Sequence, residues 1–562
     1  MAQLKISKKI FRTINNADEN SLRPSPFLPG ECLQEIFSYF HDDTLILSKC
    51  LLVNKFWFEN AASILWKSPF GHLHTPPSMK LIETCLKFLD ARLKNALAQI
   101  GIPLSPFKSF TPEFIYAPYV KELCYKGLYD AACDFIFNSN DYYVQNRHNN
   151  GDGVRHRRKD LKGERRSLIL VGELSLFFIR KCPSIDMISY DTEEINFYAQ
   201  DLYLSSLNSM SEAYQLFKRV KKLTFGGKYE KGTLMNNMSR FCKNLRTLEL
   251  NFYEFDMYDL DGDQKEPNKM STLLSMQKAL NNLTIRGPFR YLSNFLTPLK
   301  SQARTLSHIG FERVRFNNSL PLESVTTCIN LETLIFEDCV NLNDKTLAPL
   351  ALASFHRLKK LVFKNAQQLY LDNLARLIKN TQGSLQEIRF RRREFKNMVV
   401  VNVPDIPVKL IEVISLCCPN LIIFEGHVEK ESMPHFLKIY ASTFLEKLFI
   451  SVEYKNGKFF RSQVAFQLPD TLRHLSISTM DYFSAKDLEQ FLTLCSAPLE
   501  SLQFPQSSFI NDEYLDLIIE FAKKVLTLKL VTFSKISFIT EKGIRRARKF
   551  ISFVRKNGEE YV

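Results

Sequence analysis

Apolar residues recur at a fixed short spacing through most of the chain. The repeated unit is Leu-x-x-Leu-x-Leu, in which Ile, Val or Phe can replace Leu. Copies begin at twelve apolar residues: Val220, Leu245, Leu280, Leu306, Leu331, Leu358, Leu385, Leu421, Leu445, Leu472, Leu499 and Val525. Two weaker copies begin at Val120 and Ile185. The alternation within each unit predicts a short strand with one buried face, and the stretches between units predict helices.

The distance between copies indicates the type of repeat. Nine of the eleven intervals between the twelve copies are 24 to 27 residues long, within the range of about 20–29 residues typical of leucine-rich repeats. We therefore predict an α/β fold in which residues 119–562 form a leucine-rich-repeat solenoid, a curved horseshoe with parallel strands on its concave face. Inserted loops are predicted at 146–166, 253–269 and 391–409.

A cysteine stands three residues ahead of several copies. These cysteines are Cys182, Cys242, Cys328 and Cys418. A small apolar side chain at one repeated position packs well in a core, so we predict that all four are buried.

The N-terminal region has a different pattern, with three short helices predicted between residues 26 and 70. Pro29 is suited to the start of the first helix, and His41 to Thr44 interrupts the apolar pattern and offers capping side chains to the second. The third helix is predicted between Val53 and Trp66. Three such helices are too small to make a self-sufficient core, so we expect them to need a partner surface.

This N-terminal pattern resembles an F-box. The matching residues, in order, are Leu28-Pro29, Glu31, Leu33, Ile36-Phe37, Phe40, Leu45, Val53-Asn54-Lys55, Trp57 and Leu65-Trp66. Phe40 stands where the family usually has Leu. Together with the repeats, the chain resembles F-box/leucine-rich-repeat proteins of the fungal type. The alternative is a helical subdomain whose apolar residues form only its own core.

The resemblance implies docking to a Skp-family adaptor and, through it, to a cullin scaffold in an SCF-type (Skp–cullin–F-box) ubiquitin ligase. The residues to which it gives adaptor contact are Leu28, Pro29, Leu33, Ile36, Phe37, Phe40, Leu45, Val53 and Trp57. Around this F-box at 26–70 we expect a flexible tail at 1–25 and a helical, Pro-rich linker at 71–118. The linker contains one helical stretch from Met79 to Ile100.

The C-terminal end is predicted to be a basic helix. Its apolar face would comprise Ile544, Ala547, Ile551 and Val554, with Arg and Lys on the remaining surface. A stacked solenoid needs a polar-faced cap at its end. An acid-binding helix is the alternative to a cap.

The composition says more about the cellular compartment of the protein than about its binding partner. The net charge of +15 permits acidic proteins, nucleic acid or anionic lipid as partners and does not choose among them. The twelve cysteines contain no CxxC pair, which favours a reducing compartment over a disulfide framework. With no apolar signal segment in the first 25 residues, we expect a cytoplasmic and/or nuclear protein. The basic residues of 146–166 leave a nuclear localisation signal open.

The sequence lacks the motifs that catalysis requires. No phosphate-binding GxxxxGK[ST], dinucleotide-binding GxGxxG after a strand, HExxH or GxSxG is present. Asp259-x-Asp261-x-Asp263 begins like a calcium loop, but Gln264 and Met270 occupy the Gly and Glu positions of that loop. We expect a non-catalytic receptor without metal or cofactor.

Positions 3, 5 and 7 of each repeat should line the concave face, since positions 4 and 6 face the core. In the repeats at Leu358 and Leu385 these positions hold four cations, Lys360, Lys364, Arg389 and Arg391, against the single anion Glu387. Cations so close would repel one another, and an anionic ligand would relieve the repulsion. We predict that a target protein binds here through an acidic or phosphorylated segment. A solvated basic face is the alternative.

Two other functions compete with a ubiquitin-ligase substrate receptor. One is a leucine-rich-repeat scaffold or inhibitor that has no role in a ubiquitin ligase. The other is an RNA-binding protein that uses the positive charge, although the chain lacks the interleaved aromatic and basic motifs of the common RNA-binding modules. We expect neither a nucleic acid nor a membrane as partner.

Overall fold

A computed structural model describes most of the chain. The described residues are 28–41, 43–71, 79–104, 114–139, 161–191, 211–226, 238–252, 271–287, 295–316, 321–365, 371–391, 406, 408–428, 433–442, 444–452, 467–479 and 482–556. The predicted tail at 1–25 and the loop at 253–269 lie outside them, as do most residues of the loops at 146–166 and 391–409. The chain forms two compact units, Met1–Lys278 and Ala279–Val562, and each is described by itself.

The first unit begins with helices and continues into parallel strands. Its helices are α1 (Gly30–Ser38), α2 (Thr44–Cys50), α3 (Lys55–Leu65), α4 (Met79–Lys87), α5 (Ala91–Gln99), α6 (Tyr125–Ser139), α7 (Leu161–Lys181) and α8 (Ser211–Arg219). Its strands are β1 (Glu122–Cys124), β2 (Met187–Asp191), β3 (Lys222–Gly226) and β4 (Thr247–Asn251). Each strand pairs in parallel with the next in chain order.

Helices α1 to α3 form the predicted three-helix unit. The Asp43 side chain accepts a hydrogen bond from the Ile46 amide at the start of α2, and Asn54 accepts one from the Trp57 amide at the start of α3. Both caps satisfy amide groups that a helix leaves unpaired at its N-terminus. The buried centre of the unit consists of Leu33, Phe37, Leu47, Cys50 and Ala61.

The predicted helix from Met79 to Ile100 is instead two helices, α4 and α5. Asp90 separates them, and its side chain accepts a hydrogen bond of 2.7 Å from the Leu93 amide. Such an N-cap begins a new helix because it replaces a hydrogen bond that an uninterrupted helix would make along its backbone.

The three-helix unit is joined to the first strand. The carbonyl of Lys67, just after α3, accepts hydrogen bonds from the amides of Lys121 and Glu122 at the start of β1. The carbonyl of Lys121 does the same for the amides at the start of β2. Lys67 therefore has the same role ahead of β1 that Lys121 has ahead of β2: its carbonyl accepts hydrogen bonds from the start of the next strand.

The described part of the second unit contains eleven parallel strands, which also pair in chain order. The strands are β5 (Asn282–Arg286), β6 (His308–Glu312), β7 (Thr333–Glu337), β8 (Lys360–Lys364), β9 (Glu387–Arg391), β10 (Ile423–Val428), β11 (Lys447–Val452), β12 (His474–Ser478), β13 (Ser501–Phe504), β14 (Leu530–Phe533) and β15 (Phe553–Arg555).

Helices and short 3-10 segments connect the strands of the second unit. The helices are α9 (Asp344–Leu352), α10 (Leu371–Lys379), α11 (Val408–Cys417), α12 (Met433–Ser442), α13 (Ala485–Leu494), α14 (Asp512–Val525) and α15 (Glu541–Ala547), and the 3-10 segments are Thr297–Gln302 and Pro321–Thr327. The predicted α/β leucine-rich-repeat architecture is confirmed.

The strand register agrees with the repeat pattern in all copies but the last. In β7, for example, Leu334 and Phe336 are buried while Thr333, Ile335 and Glu337 are partly exposed. We call the strand surface that carries positions 3, 5 and 7 the open face. The four leading cysteines are fully buried, as predicted. Burial raises the pKa of Cys182 and Cys242 to about 12.

The last repeat was misplaced by the sequence pattern. Val525 ends helix α14 instead of beginning a repeat, and the pairing of Leu502 with Val531 places the final motif at Leu528-x-x-Val531-x-Phe533. All three of these residues are buried. Val525 is also apolar and stands three residues before Leu528. The sequence pattern alone therefore could not exclude Val525 as the first residue of the motif.

The predicted final helix is also shorter than expected. Helix α15 ends at Ala547, and Val554 lies in strand β15, which pairs with β14. Ile551 and Val554 are buried as predicted, but they lie after the helix, Ile551 just before strand β15 and Val554 within it. A spacing of three residues suits one turn of helix, yet it also fits two inward positions separated by a change of backbone conformation.

Candidate protein-binding surfaces

The nine residues predicted for adaptor contact separate into inward and outward groups. Leu33 and Phe37 are buried in the three-helix unit, and Trp57 packs partly buried against them, its ring centroid 5.3 Å from that of Phe37. The other six are exposed: Leu28, Pro29, Ile36, Phe40, Leu45 and Val53. The nine predicted contact residues therefore lie on two faces, one forming the core and one facing outward.

Exposed apolar side chains are concentrated in this unit. Of the 22 large exposed apolar side chains among the described residues, eight lie between Leu28 and Val53. Three of the eight were not predicted as contacts: Tyr39, Ile46 and Leu52. Each of them stands next to a predicted residue in the chain, Tyr39 and Leu52 in the turns between helices and Ile46 in the second helix, and that adjacency was the signal in the sequence. We call these eight residues the N-terminal apolar surface.

The predicted cations of the repeat region lie on neighbouring strands of the open face. Lys360 and Lys364 belong to β8 and Arg389 to β9, and Val362 of β8 pairs with Arg389. Arg391 occupies the position of β9 that pairs with Lys364. The backbone therefore places the four cations at neighbouring positions on one face of the sheet, as predicted.

The expected repulsion was wrong for Lys360, Lys364 and Arg389, because carboxylates of the same and neighbouring strands alternate with them. Lys360 lies 3.0 Å from Glu387, and Lys364 is hydrogen-bonded to Glu337 of β7. Arg389 lies 2.5 Å from Glu387. The count of four cations against one anion omitted the strands on either side, so the charge is more nearly balanced than the sequence suggested.

Arg389 is more enclosed than Lys360 and Lys364. Its Nη1 donates a 3.1 Å hydrogen bond to Glu425 of β10, a residue only 8% exposed. The Arg389 guanidinium carbon also lies 5.5 Å from the ring centre of Phe449 on β11. Arg389 therefore holds three strands together, and its role as a target contact stays a prediction.

The described residues show neither a metal centre nor a membrane span. No group of three or more His, Cys, Asp or Glu among them could hold a metal ion. No helix in the described part of the chain is both long and apolar enough to cross a bilayer.

Comparison with known proteins adds only distant similarities. No family model and no curated protein matches the chain. An internalin from Listeria monocytogenes is 11% identical with a TM-score of 0.30, covering 62% of this chain and 88% of the internalin. A structure of the Rad7 and Elc1 complex in yeast is 14% identical with a TM-score of 0.30, covering 65% of this chain and 77% of the matched chain. These similarities are too distant to assign a function.

Proposed function

We propose that this protein is the substrate-recognition subunit of an SCF-type ubiquitin ligase, in which the three-helix unit docks to a Skp-family adaptor and the repeats bind a target protein. The observation that carries the proposal is the N-terminal apolar surface. Eight large apolar side chains are exposed on the first two helices and the segments next to them, in a three-helix unit that already has a buried centre of its own. A concentration of this kind marks a protein–protein interaction site.

The same geometry favours docking over a merely structural role for these helices. Leu33, Phe37 and Leu47 supply the internal core, so Leu28, Ile36 and Leu45 are not needed for it. Leaving large apolar groups in water is unfavourable by about 25 cal/mol per Å², and a partner surface removes that cost. The alternative of a purely internal core leaves these exposed residues unexplained.

The proposed receptor would not perform chemistry itself. Ubiquitin transfer would be carried out by other subunits, and this chain would raise the effective concentration of target lysines near them. The joint between Lys67 and β1 supports this role, because backbone hydrogen bonds connect the docking helices to the first repeat.

The experiment measures adaptor affinity by calorimetry with the full chain and a purified Skp-family adaptor. Ile36→Asp places a charge within the N-terminal apolar surface and should weaken binding about tenfold or more. Gln34→Asp, an exposed change on the same helix, should leave the affinity unchanged. Ile36 is 43% exposed, so both variants should keep the wild-type melting temperature.

Equal adaptor affinity of Ile36→Asp and wild type would contradict the proposal. A wild-type chain that does not bind the adaptor at all would favour the scaffold or inhibitor function.

A further inference from the structure

The C-terminal end of the second unit concentrates positive charge. Residues 535–556 contain eight Lys or Arg and one Glu, a net charge of +7 (8 − 1 = 7). The neighbouring helix α14 contributes four acidic residues and two lysines. Its carboxylates are largely engaged: Asp512 accepts hydrogen bonds from Thr540, Asp516 pairs with Arg546, and Glu520 pairs with Lys523.

Several exposed cations at this end lack an acidic partner among the described residues. Arg545, Arg548 and Lys549 are exposed, and none of them pairs with a carboxylate of the described residues. Arg548 donates only a 3.4 Å hydrogen bond to the Val554 carbonyl. This end differs in that respect from the open face, where Lys360, Lys364 and Arg389 are all paired.

Aromatic and apolar side chains are exposed beside these cations. Ile536 is 69% exposed, Phe538 72%, Phe550 49% and Phe553 55%. Lys523 lies over the ring of Phe550 at 4.8 Å, and Arg555 over that of Phe553 at 5.6 Å. A polar cap, which a solenoid end requires for solubility, would not expose four such residues.

Strand β15 also offers a backbone edge. It pairs with β14 on one side, and it is the last strand in the order of the sheet, so no described strand covers its other side. Val554 is buried, while Phe553 and Arg555 on either side of it face outward. A chain that continued the sheet would lie next to both of these side chains.

We propose that the C-terminal end binds an extended acidic segment of a partner protein, which adds as a strand to the edge of β15 that no described strand covers. The partner's main chain would hydrogen-bond to β15, its carboxylates would pair with Arg545, Arg548 and Lys549, and its apolar side chains would cover Phe550 and Phe553. Strand addition with side-chain pockets on alternate positions is a common mode of peptide recognition.

Two other occupants fit the end less well. A second copy of the chain would bring two ends of +7 together, which repel each other. A single-stranded nucleic acid could use the charge and the aromatic rings, but it has no peptide groups to pair with the strand edge. This proposal goes beyond the adaptor-binding function and does not depend on it.

The test measures fluorescence anisotropy of a labelled twelve-residue peptide, in which Glu alternates with Val, on titration with the full chain. Arg545→Glu with Lys549→Glu should raise Kd by about tenfold or more, because two ion pairs become repulsions. Lys345→Glu with Lys379→Glu changes the net charge equally on α9 and α10, where both lysines are exposed. This control should bind as wild type, and so should Ile36→Asp.

A second arm tests the strand edge and the class of ligand. Two further peptides carry an N-methyl group on the backbone nitrogen of every Glu or of every Val. One of the two should lose binding, because a strand added to a sheet edge hydrogen-bonds through alternate backbone amides. Labelled oligothymidylate and phosphatidylserine vesicles should bind more weakly than the acidic peptide.

Three results would overturn the proposal. The first is the same loss of affinity in the Lys345 and Lys379 variant, and the second is undiminished binding of both methylated peptides. The third is tighter binding of oligothymidylate or vesicles than of the peptide.

Discussion

Single residues at two positions of each repeat carry the core of the second unit. Leu334 and Leu361 at position 4 are fully buried and pair across β7 and β8. At position 6, rings stack from strand to strand: the centroids of Phe336 and Phe363 are 5.1 Å apart. Each such residue is enclosed by the same position of the repeats before and after it, so its loss affects more than one repeat.

We expect Leu334→Ala and Leu361→Ala each to lower the free energy of unfolding by about 2–5 kcal/mol, because each leaves a cavity in a packed core. Urea denaturation of the full chain measures the change. Hydrogen exchange should also increase in the adjoining strands, since neighbours bury each repeat. Ile335→Ala, on the open face between the core residues Leu334 and Phe336, should lower the free energy of unfolding by less. Changes within about 0.5 kcal/mol of wild type for both leucine variants would show that the strand register is wrong.

At the scale of elements, ion pairs connect neighbouring strands across the open face. Lys364 pairs back to β7, Lys360 pairs forward to β9, and Arg389 pairs forward to β10. The pairs differ in enclosure: the Arg389 side chain is 21% exposed and that of Glu425 10%, whereas Lys359 and Glu332 at the start of β8 and β7 are 50% and 37% exposed. Enclosed pairs should therefore contribute more.

We expect Arg389→Met to lower the free energy of unfolding by about 1–3 kcal/mol, because Glu425 loses a charged hydrogen-bond donor in a buried position. Lys359→Met removes a cation from the exposed pair with Glu332 and should change the free energy of unfolding by less than about 1 kcal/mol. Urea denaturation at low and high salt distinguishes them, since salt screens the exposed pair more strongly. A smaller effect for Arg389→Met than for Lys359→Met would contradict the assignment of Arg389 to strand cohesion.

At the scale of the whole molecule, the connection between the three-helix unit and the repeats is built from aromatic packing in the first unit. Trp66, just after α3, stacks on Tyr116 with ring centroids 4.1 Å apart, and Phe114 packs edge-on against Trp66. Gly127 in α6 lies against the Phe70 carbonyl, which a Cβ at that position would approach to 1.6 Å. Close backbone approach and stacked rings together support the joint at Lys67.

We expect Tyr116→Ala to loosen this joint, because Trp66 would lose the ring on which it stacks. Hydrogen exchange should increase in α3 and β1 but not in β10 to β12, which belong to the other unit. Tyr119→Ala, in the same turn, removes a ring that makes no ring contact among the described residues and should have a smaller effect. Equal exchange in wild type and Tyr116→Ala would show that the stack does not hold the helices to β1.

Much of the architecture could be predicted because the repeat pattern is local. A residue such as Leu334 is followed two positions later by Phe336, and that alternation alone places both on the buried side of a strand. The cap at Asp43 was likewise recognisable, since a capping side chain acts on an amide two or three residues away. The burial of Cys242 followed from its recurrence at one repeated position.

The tertiary structure decided which residues from distant parts of the chain become neighbours. Glu337 and Glu425 lie far along the sequence from Lys364 and Arg389 yet neutralise them, because parallel strands bring equivalent positions of successive repeats side by side. The same packing moved the last motif to Leu528 and made a strand of Phe553–Arg555.

The sequence by itself thus determined the repeat, its buried positions and the three N-terminal helices, because short-range periodicity encodes which side of an element avoids water. Only the tertiary structure decided which charges are paired, which apolar residues stay exposed and where the final strand lies. Those properties depend on the neighbours that each side chain meets across the sheet.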